Sequence, residues 1–305
     1  MQFRKLPLFG AICKLMKISV VTSSYNQAPF LEETIRSVID QGYPNLEYVI
    51  IDAGSSDGSQ EIIKKYEDHL HYWVSEPDKG HGDALNKGFQ KTTGEIMAWI
   101  NSDDKYMPWT FEVVSEIFST FPHVNWIVGT NGWWDSEGRL TNARVVHKNV
   151  YDFLLGRYEW IQQESVFWRR ALWERGGATI NSSYNLMVDG ELWCRFFLND
   201  DLYHVRCVLG GYRSHNNNRA KKHYDICLEE MRKAISDMRK ECDEVLLRDM
   251  LYIGALYHLR RFTGRACANS IYRRLFSGLY ERMKYRTIHF DSVSWKEGRA
   301  SFPLF

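Results

Sequence analysis

Nowhere among the 305 residues does an apolar run reach the ~18–20 residues that a bilayer-spanning helix needs. No transmembrane helix is expected. The six cysteines, Cys13, Cys194, Cys207, Cys227, Cys242 and Cys267, form no CxxC pair and have no histidine at zinc-ligand spacing. That speaks against a disulfide framework or a zinc knuckle, and the expectation is reduced thiols in a reducing compartment. No GxGxxG follows the first strand and no GxxxxGK[ST] occurs, which removes the dinucleotide fingerprint and the P-loop. Internal repeats and low-complexity tracts are absent. Residues 1–16 carry basic and apolar side chains, but Pro7 and Gly10 interrupt the apolar stretch and no cleavage signal follows. They are expected to be an extension rather than a secretory signal.

The chain is rich in aromatics, with 11 tryptophans and 17 tyrosines, which suits either stacking on flat ligands or a heavily packed core. Its net charge of +1 hides an asymmetry, because the residues after about 206 carry a clear excess of Lys and Arg.

Short β-branched runs alternate with amphipathic stretches along the first half. Residues 17–22 read as a strand ending in Ser23-Ser24-Tyr25-Asn26, and Leu31, Ile35, Val38 and Ile39 recur at helical spacing. The alternation continues through strands near 46–51, 72–74 and 95–100, with helices marked by Ile62, Ile63 and Tyr66 and then by Ala84, Leu85 and Phe89. Such alternation predicts a parallel sheet of right-handed βαβ units. Further on, a hairpin turn at 135–138 is expected to join a strand at 126–128 to one at 139–146. A strand is expected at 165–168, a helix at 186–198, a strand at 202–209 and a loop at 210–215. Residues 220–286 read as helical throughout.

The polar loops all follow strands and so should gather on one edge of the sheet. Central among them is Asn101-Ser102-Asp103-Asp104, two adjacent carboxylates at the carboxyl end of a buried strand, where open α/β sheets present a ligand crevice. Alone, the pair suits either a turn before Pro108 or a hard divalent cation such as Mg²⁺ or Mn²⁺. The convergence of loops favours a site.

Four motifs in order resemble family 2 glycosyltransferases of the GT-A fold: VVTSSYNQ (20–27), IIDAGSSDGS (50–59), INSDD (100–104) and VDGELWCRF (188–196). SEPDKGHGDALNKG (75–88) and QESVFWRR (163–170) match as well. The resemblance spans roughly residues 17–215. It implies a Rossmann-like, mostly parallel sheet flanked by helices over 17–218, with a helical C-terminal region at 219–305. The implied activity is inverting transfer of a sugar from a nucleotide-diphosphate donor to a hydroxyl acceptor, in cell-surface polysaccharide or glycolipid synthesis, with Mn²⁺ or Mg²⁺ as cofactor. The alternatives are a non-catalytic nucleotide-sugar-binding module or a nucleotidyltransferase, although the first loop supplies no phosphate-binding sequence for the latter.

Carried onto this chain, the resemblance makes Asp103 and Asp104 metal ligands, with Asp103 also open to the ribose, and Asp189 the general base. A helix-start role is the alternative for Asp189. Ser23, Tyr25 and Asp52 match positions around base and ribose. Ala53 stands where the family often has a second aspartate that reads the base edge, so uracil is not implied. Lys79 is either a diphosphate contact or a surface lysine, and Asp83 either caps its helix or touches the donor. Gln163 and Glu191 fall on the acceptor side. His215 is a candidate for metal or diphosphate, and Asp57 is a turn residue or a ligand. The basic, aromatic C-terminal helices are expected either to cap the domain or to touch an anionic membrane surface from the cytoplasmic side. No nucleic-acid module is present.

Overall fold

A computed structural model describes residues 15–159 and 161–304, with only the backbone of 265–268. Cys13 and most of the expected N-terminal extension therefore lie outside the described residues, as does the side chain of Cys267. Cys194, Cys207, Cys227 and Cys242 are free thiols.

The first half is built as the alternation predicts: β1 (Ile18–Ser24), α1 (Ala28–Ile39), β2 (Leu46–Asp52), α2 (Ser59–Lys65), β3 (Tyr72–Ser75), α3 (His81–Phe89) and β4 (Ile96–Trp99). Then come β5 (Lys105–Tyr106), α4 (Thr110–Thr120), β6 (Trp126–Val128), β7 (Asn131–Trp134), β8 (Leu140–Arg144), α5 (Val150–Leu154), β9 (Val166–Arg169), α6 (Arg170–Arg175), α7 (Val188–Phe197), β10 (Tyr203–Val205) and β11 (Gly210–Arg213). The chain closes with α8 (Arg219–Lys222), α9 (Tyr224–Lys240), α10 (Glu244–Leu275), α11 (Ser277–Met283), β12 (Tyr285–Phe290) and β13 (Trp295–Ala300).

Nine strands form the main sheet in the order β13-β12-β10-β6-β9-β4-β1-β2-β3. Strands β4, β1, β2 and β3 run parallel, so their carboxyl ends share one edge. β9 inserts antiparallel between β4 and β6, and it is therefore its amino end that reaches that same edge. A second sheet, β5-β11-β7-β8, stands beside it.

Three expectations need correction. The hairpin partner of β8 is β7, not β6, because the chain leaves the main sheet at Gly129. Residues 210–213 are a strand rather than a loop: Gly210 and Gly211 pair with Tyr106 and Lys105. The C-terminal region is not helical to its end, since β12 returns parallel to β10 and β13 folds back on it. Tyr285, Thr287 and Ile288 are buried on the two faces of β12, so no clean two-residue period marks it in the sequence.

Apolar faces on both sides of the sheet bury two large clusters. On one side Trp99 of β4 stacks on Trp193 of α7, centroids 5.7 Å apart and 11° from parallel. Trp126 and Trp168 flank Trp193. Each such contact adds ~0.5–1.5 kcal/mol beyond area burial. This stack holds the end of β4 and the helix α7 in fixed register.

Candidate active site

Asp103 and Asp104 follow β4 directly and stand at the shared edge. Asp104 is buried. Its Oδ1 accepts the backbone N–H of Arg213 at 2.6 Å and its Oδ2 accepts Asn101 Nδ2 at 3.2 Å. Oδ2 of Asp103 meets His215 Nε2 at 2.9 Å. His215 Nδ1 accepts the N–H of Asn217, which leaves the ring proton of the neutral imidazole on Nε2, facing the carboxylate. Asp103 and His215, far apart in the chain, are thus in direct contact.

What joins them is Arg213, 1% exposed. Its Nε donates to the Asp103 carbonyl at 2.6 Å and its Nη2 to Glu33 Oε2 at 2.6 Å, and the guanidinium lies over the Phe30 ring. Asn218 completes the clamp, donating from Nδ2 to the Arg213 carbonyl and accepting the His215 N–H at Oδ1. Neither Arg213 nor Asn218 was singled out from sequence, since neither lies in a motif that carries the resemblance.

Glu164, beside the predicted Gln163, was also missed. It precedes β9, whose reversed direction carries it to the cleft edge next to Asp104. Gly210 lies so close that a Cβ there would collide with the Glu164 carbonyl. Burial foremost pushes both carboxyls up, Asp104 with added repulsion from Glu164 and Asp103, and Glu164 to about 7 with added repulsion from Asp189 and Asp103, while its hydrogen bond with Asp104 works the other way. Among the described residues no cationic side chain is hydrogen-bonded to either. Gln163 donates from Nε2 to the Trp99 carbonyl, and its buried Oε1 has no partner among the described residues.

Asp189 lies in the first turn of α7, close enough to Glu164 for its charge to be felt there, as is that of Asp103. Burial raises its pKa to about 6, with Glu230 adding repulsion. Glu230 of α9 accepts the N–H groups of Asn185, Leu186 and Met187 at 2.7, 3.0 and 2.9 Å, which fixes the approach to Asp189. Glu191 is different. Both its oxygens accept from Arg195 of its own helix, at 3.0 and 2.8 Å.

On the nucleotide side, Ser23 Oγ bonds His81 Nδ1 at 2.8 Å. Burial, then Arg219, lower the His81 pKa to about 4, so the ring is neutral. Asp52 is fully buried, and its oxygens accept Ser55 N–H, Ser55 Oγ and Ser75 Oγ. It therefore shapes the loops directly. Tyr25 is 62% exposed, with a free ring face. Lys79 is exposed. Asp83, in the first turn of α3, accepts the Lys79 N–H at 3.1 Å. Asp57 accepts the N–H groups of Ala28 and Ser59, a turn and cap role.

The model of the glycosyl transferase family 2 matches residues 19–131. An uncharacterised glycosyltransferase of Nostoc sp. is 36% identical over 108 residues, 34% of this chain and 34% of its own. TuaG of Bacillus subtilis, named for teichuronic acid biosynthesis, is 37% identical over 92 residues, 29% of this chain and 36% of its own. The matches thus span about a third of the length of these two relatives. In fold the chain is similar to S. aureus TarS residues 1–349, solved with UDP-GlcNAc, at TM-score 0.64 and 17% identity, covering 81% of this chain and 73% of that one. It is also similar to the mannosyltransferase PcManGT of Pyrobaculum calidifontis, solved with GDP-Man and Mn²⁺, at TM-score 0.51 and 17% identity, covering 86% and 88%. These likenesses, with the sheet order above, give the GT-A fold.

Proposed function

Because the chain belongs to glycosyl transferase family 2 through residues 19–131, we propose that it is an inverting, divalent-metal-dependent glycosyltransferase. It moves a sugar from a nucleotide-diphosphate donor to a hydroxyl acceptor, in cell-surface polysaccharide or glycolipid synthesis, the setting that the name of TuaG suggests. The observation that carries this reading is the convergence of Asp103, Asp104 and Asp189 on the buried Glu164, which bonds Asp104 and feels the charges of Asp103 and Asp189. An in-line displacement needs charge compensation on one side of the sugar and a base on the other.

The donor set fits Mn²⁺ or Mg²⁺: hard carboxylate oxygens on adjacent residues, with the buried Asp104 carboxyl hydrogen-bonded to no cationic side chain among the described residues. Among the described residues no three such groups close a cage, which suits a cation that shares its coordination with phosphate oxygens. Asp103 and Asp104 would hold it, with His215, expected from the resemblance as a further ligand, instead donating from Nε2 to the Asp103 carboxylate and so orienting it. When bound, it supplies positive charge to the departing diphosphate. Tyr25 offers a stacking face to the base, and Ser23 with His81 lines the approach to the phosphates.

Asp189 takes the acceptor proton. As the acceptor oxygen forms its bond to the anomeric carbon, the bond from that carbon to the diphosphate oxygen breaks. The electron pair leaves with the nucleoside diphosphate and the hydroxyl proton passes to the Asp189 carboxylate. A base near pH 6 is well matched to neutral operation.

The reading extends to a peripheral contact with the cytoplasmic face of a membrane. No helix among the described residues is long and apolar enough to cross one. Leu251 and Phe262 are 74% and 88% exposed on α10, with Leu247, Arg248 and Arg261 exposed beside them, a basic amphipathic stripe suited to anionic lipid.

A thermal-shift panel of nucleotide sugars with and without Mn²⁺ tests the donor assignment. A ligand at 100 times its Kd should stabilise by ~2.7 kcal/mol. No shift with any UDP-, GDP-, dTDP- or CDP-sugar in Mn²⁺ would overturn it.

A further inference from the structure

A general base works only if its carboxylate stays in place, and α7 does not secure its own entry. Met187, at the start of the helix, supplies no side-chain cap. Residues 180–187 take their position from two other helices instead. At one end Asn86 of α3 pairs with the Ile180 backbone in both directions. It donates from Nδ2 to the carbonyl and accepts the N–H at Oδ1, each at 2.8 Å. At the other end Glu230 of α9 takes three successive N–H groups. Its Oε1 accepts that of Asn185 at 2.7 Å, and its Oε2 those of Leu186 and Met187 at 3.0 and 2.9 Å. Bonds to an ionised acceptor are roughly twice as strong as neutral ones.

Two further contacts seat α9 on the same stretch. Met231, next to Glu230, packs so tightly on Gly190 that a Cβ there would strike the sulfur. Lys233 Nζ lies 4.8 Å from the centre of the buried Tyr184 ring. Asp189 is thus bracketed by a contact two residues before it and another one residue after it. Glu230, Met231 and Lys233 all lie beyond the family match at 19–131 and beyond the motif at 188–196.

Core packing accounts for Met231. It gives no reason for a carboxylate at 230, because an uncharged oxygen accepts backbone N–H groups as well. A carboxylate sets a second negative charge close to Asp189, which an anchor alone would avoid.

We propose that Glu230 is a positioning residue for the general base, so that helix α9 is a working part of the active site. It holds the backbone of residues 185–187, and with it the turn that carries Asp189. Its charge opposes ionisation of Asp189 and so makes that carboxylate the stronger base. The other titratable groups facing Asp189 are Glu164, ahead of β9, and the Cys227 thiol of α9. This role rests on the glycosyltransferase reading above.

The test uses the full chain with Glu230→Gln and Glu230→Ala. Glutamine keeps one oxygen for the backbone and loses the charge, whereas alanine loses both. Carboxyl ¹³C NMR follows the titration of Asp189, with Asp189→Asn assigning the resonance. Asp189 should titrate near pH 6 in the wild type and at lower pH in both variants. In single-turnover release of nucleoside diphosphate from nucleotide sugar in Mn²⁺, Glu230→Ala should be slower by about tenfold to a hundredfold. Glu230→Gln should fall between it and the wild type, with nucleotide-sugar affinity the same in all three. A contact that only stabilises the fold would lower the urea midpoint and move neither the titration nor the release rate. An Asp189 titration unchanged in Glu230→Gln would overturn the role, as would release by Glu230→Ala within about threefold of wild type, well inside the expected loss. Absence of release in the wild type would strike the glycosyltransferase reading instead, and the titration would still decide whether Glu230 governs the Asp189 carboxylate.

Discussion

The backbone N–H of Arg213 donates to Oδ1 of Asp104 at 2.6 Å, while the same residue's Nε holds the Asp103 carbonyl. A single residue of β11 thus fixes both members of the carboxylate pair. Through Glu33, its guanidinium also joins Lys105, which donates to the Gly138 carbonyl in the hairpin turn. A buried, planar fork of this kind is poorly replaced by lysine.

Arg213→Lys should therefore lower Mn²⁺-dependent nucleotide affinity by about tenfold, the equivalent of one charged hydrogen bond. Arg213→Met should cost on the order of 2–3 kcal/mol of folding stability, since its partner Glu33 is partly exposed and can rehydrate. Titration calorimetry and urea unfolding read the two effects. An Arg213→Met protein as stable as wild type would show that the network is dispensable.

Turnover should fall on acidification with a midpoint near pH 6. The sign follows from the role: Asp189 must be ionised to accept a proton, and burial has raised its pKa to about 6. Below that pH the carboxyl is protonated and the base is lost. A flat profile between pH 5 and 7.5 would exclude Asp189 as the group that limits the rate.

Stability has its own acid limb. His204 is buried, accepting the Lys148 N–H at Nε2 (2.8 Å) and bonding the Arg286 carbonyl through Nδ1 (3.1 Å), so it ties β10 to β12 in the neutral form. Burial and then His147 depress its pKa from 6.5 to about 3. The unfolded chain therefore takes up a proton first. The stabilisation is full above pH 6.5 and is lost as the pH falls from there toward 3. Denaturation at pH 7.5 and pH 5 should differ by about 2 kcal/mol from this group, and His204→Gln should remove that part of the difference. An unchanged difference would locate the acid sensitivity elsewhere.

If the stripe on α10 meets anionic lipid, the protein should sediment with phosphatidylglycerol vesicles and release as salt is raised. Phe262→Ser with Leu251→Ser should abolish the binding. Equal partitioning to neutral vesicles would leave the stripe to some other surface.

Sequence and fold agree most closely where side-chain period and strand direction are local properties. The run 95–100 ends at Asp103 because a buried parallel strand must stop at the ligand edge, and that was legible. Glu164 was not, although QESVFW was noticed, because its approach to Asp104 depends on β9 running against its neighbours. A strand's direction is set by its pairing partners rather than by its own residues. Arg213 was hidden for a related reason: Gly210 and Gly211 suggest a loop, and only the close approach of neighbouring backbone explains them as strand. Asp52 matches its motif, and its oxygens also accept three hydrogen bonds from Ser55 and Ser75. Motif position gives a residue's neighbourhood, whereas its unused hydrogen-bonding capacity appears only in three dimensions.

The most direct test of the account is single-turnover release of nucleoside diphosphate from a bound nucleotide sugar in Mn²⁺, comparing wild type with Asp189→Asn. Asparagine keeps the shape and serves a helix start as well as aspartate does, but it cannot take the acceptor proton. Release should slow by about 10²–10⁴-fold while nucleotide-sugar affinity and folding stability stay unchanged. An Asp189→Asn protein that releases diphosphate within about threefold of the wild-type rate, far inside that range, would contradict the central claim.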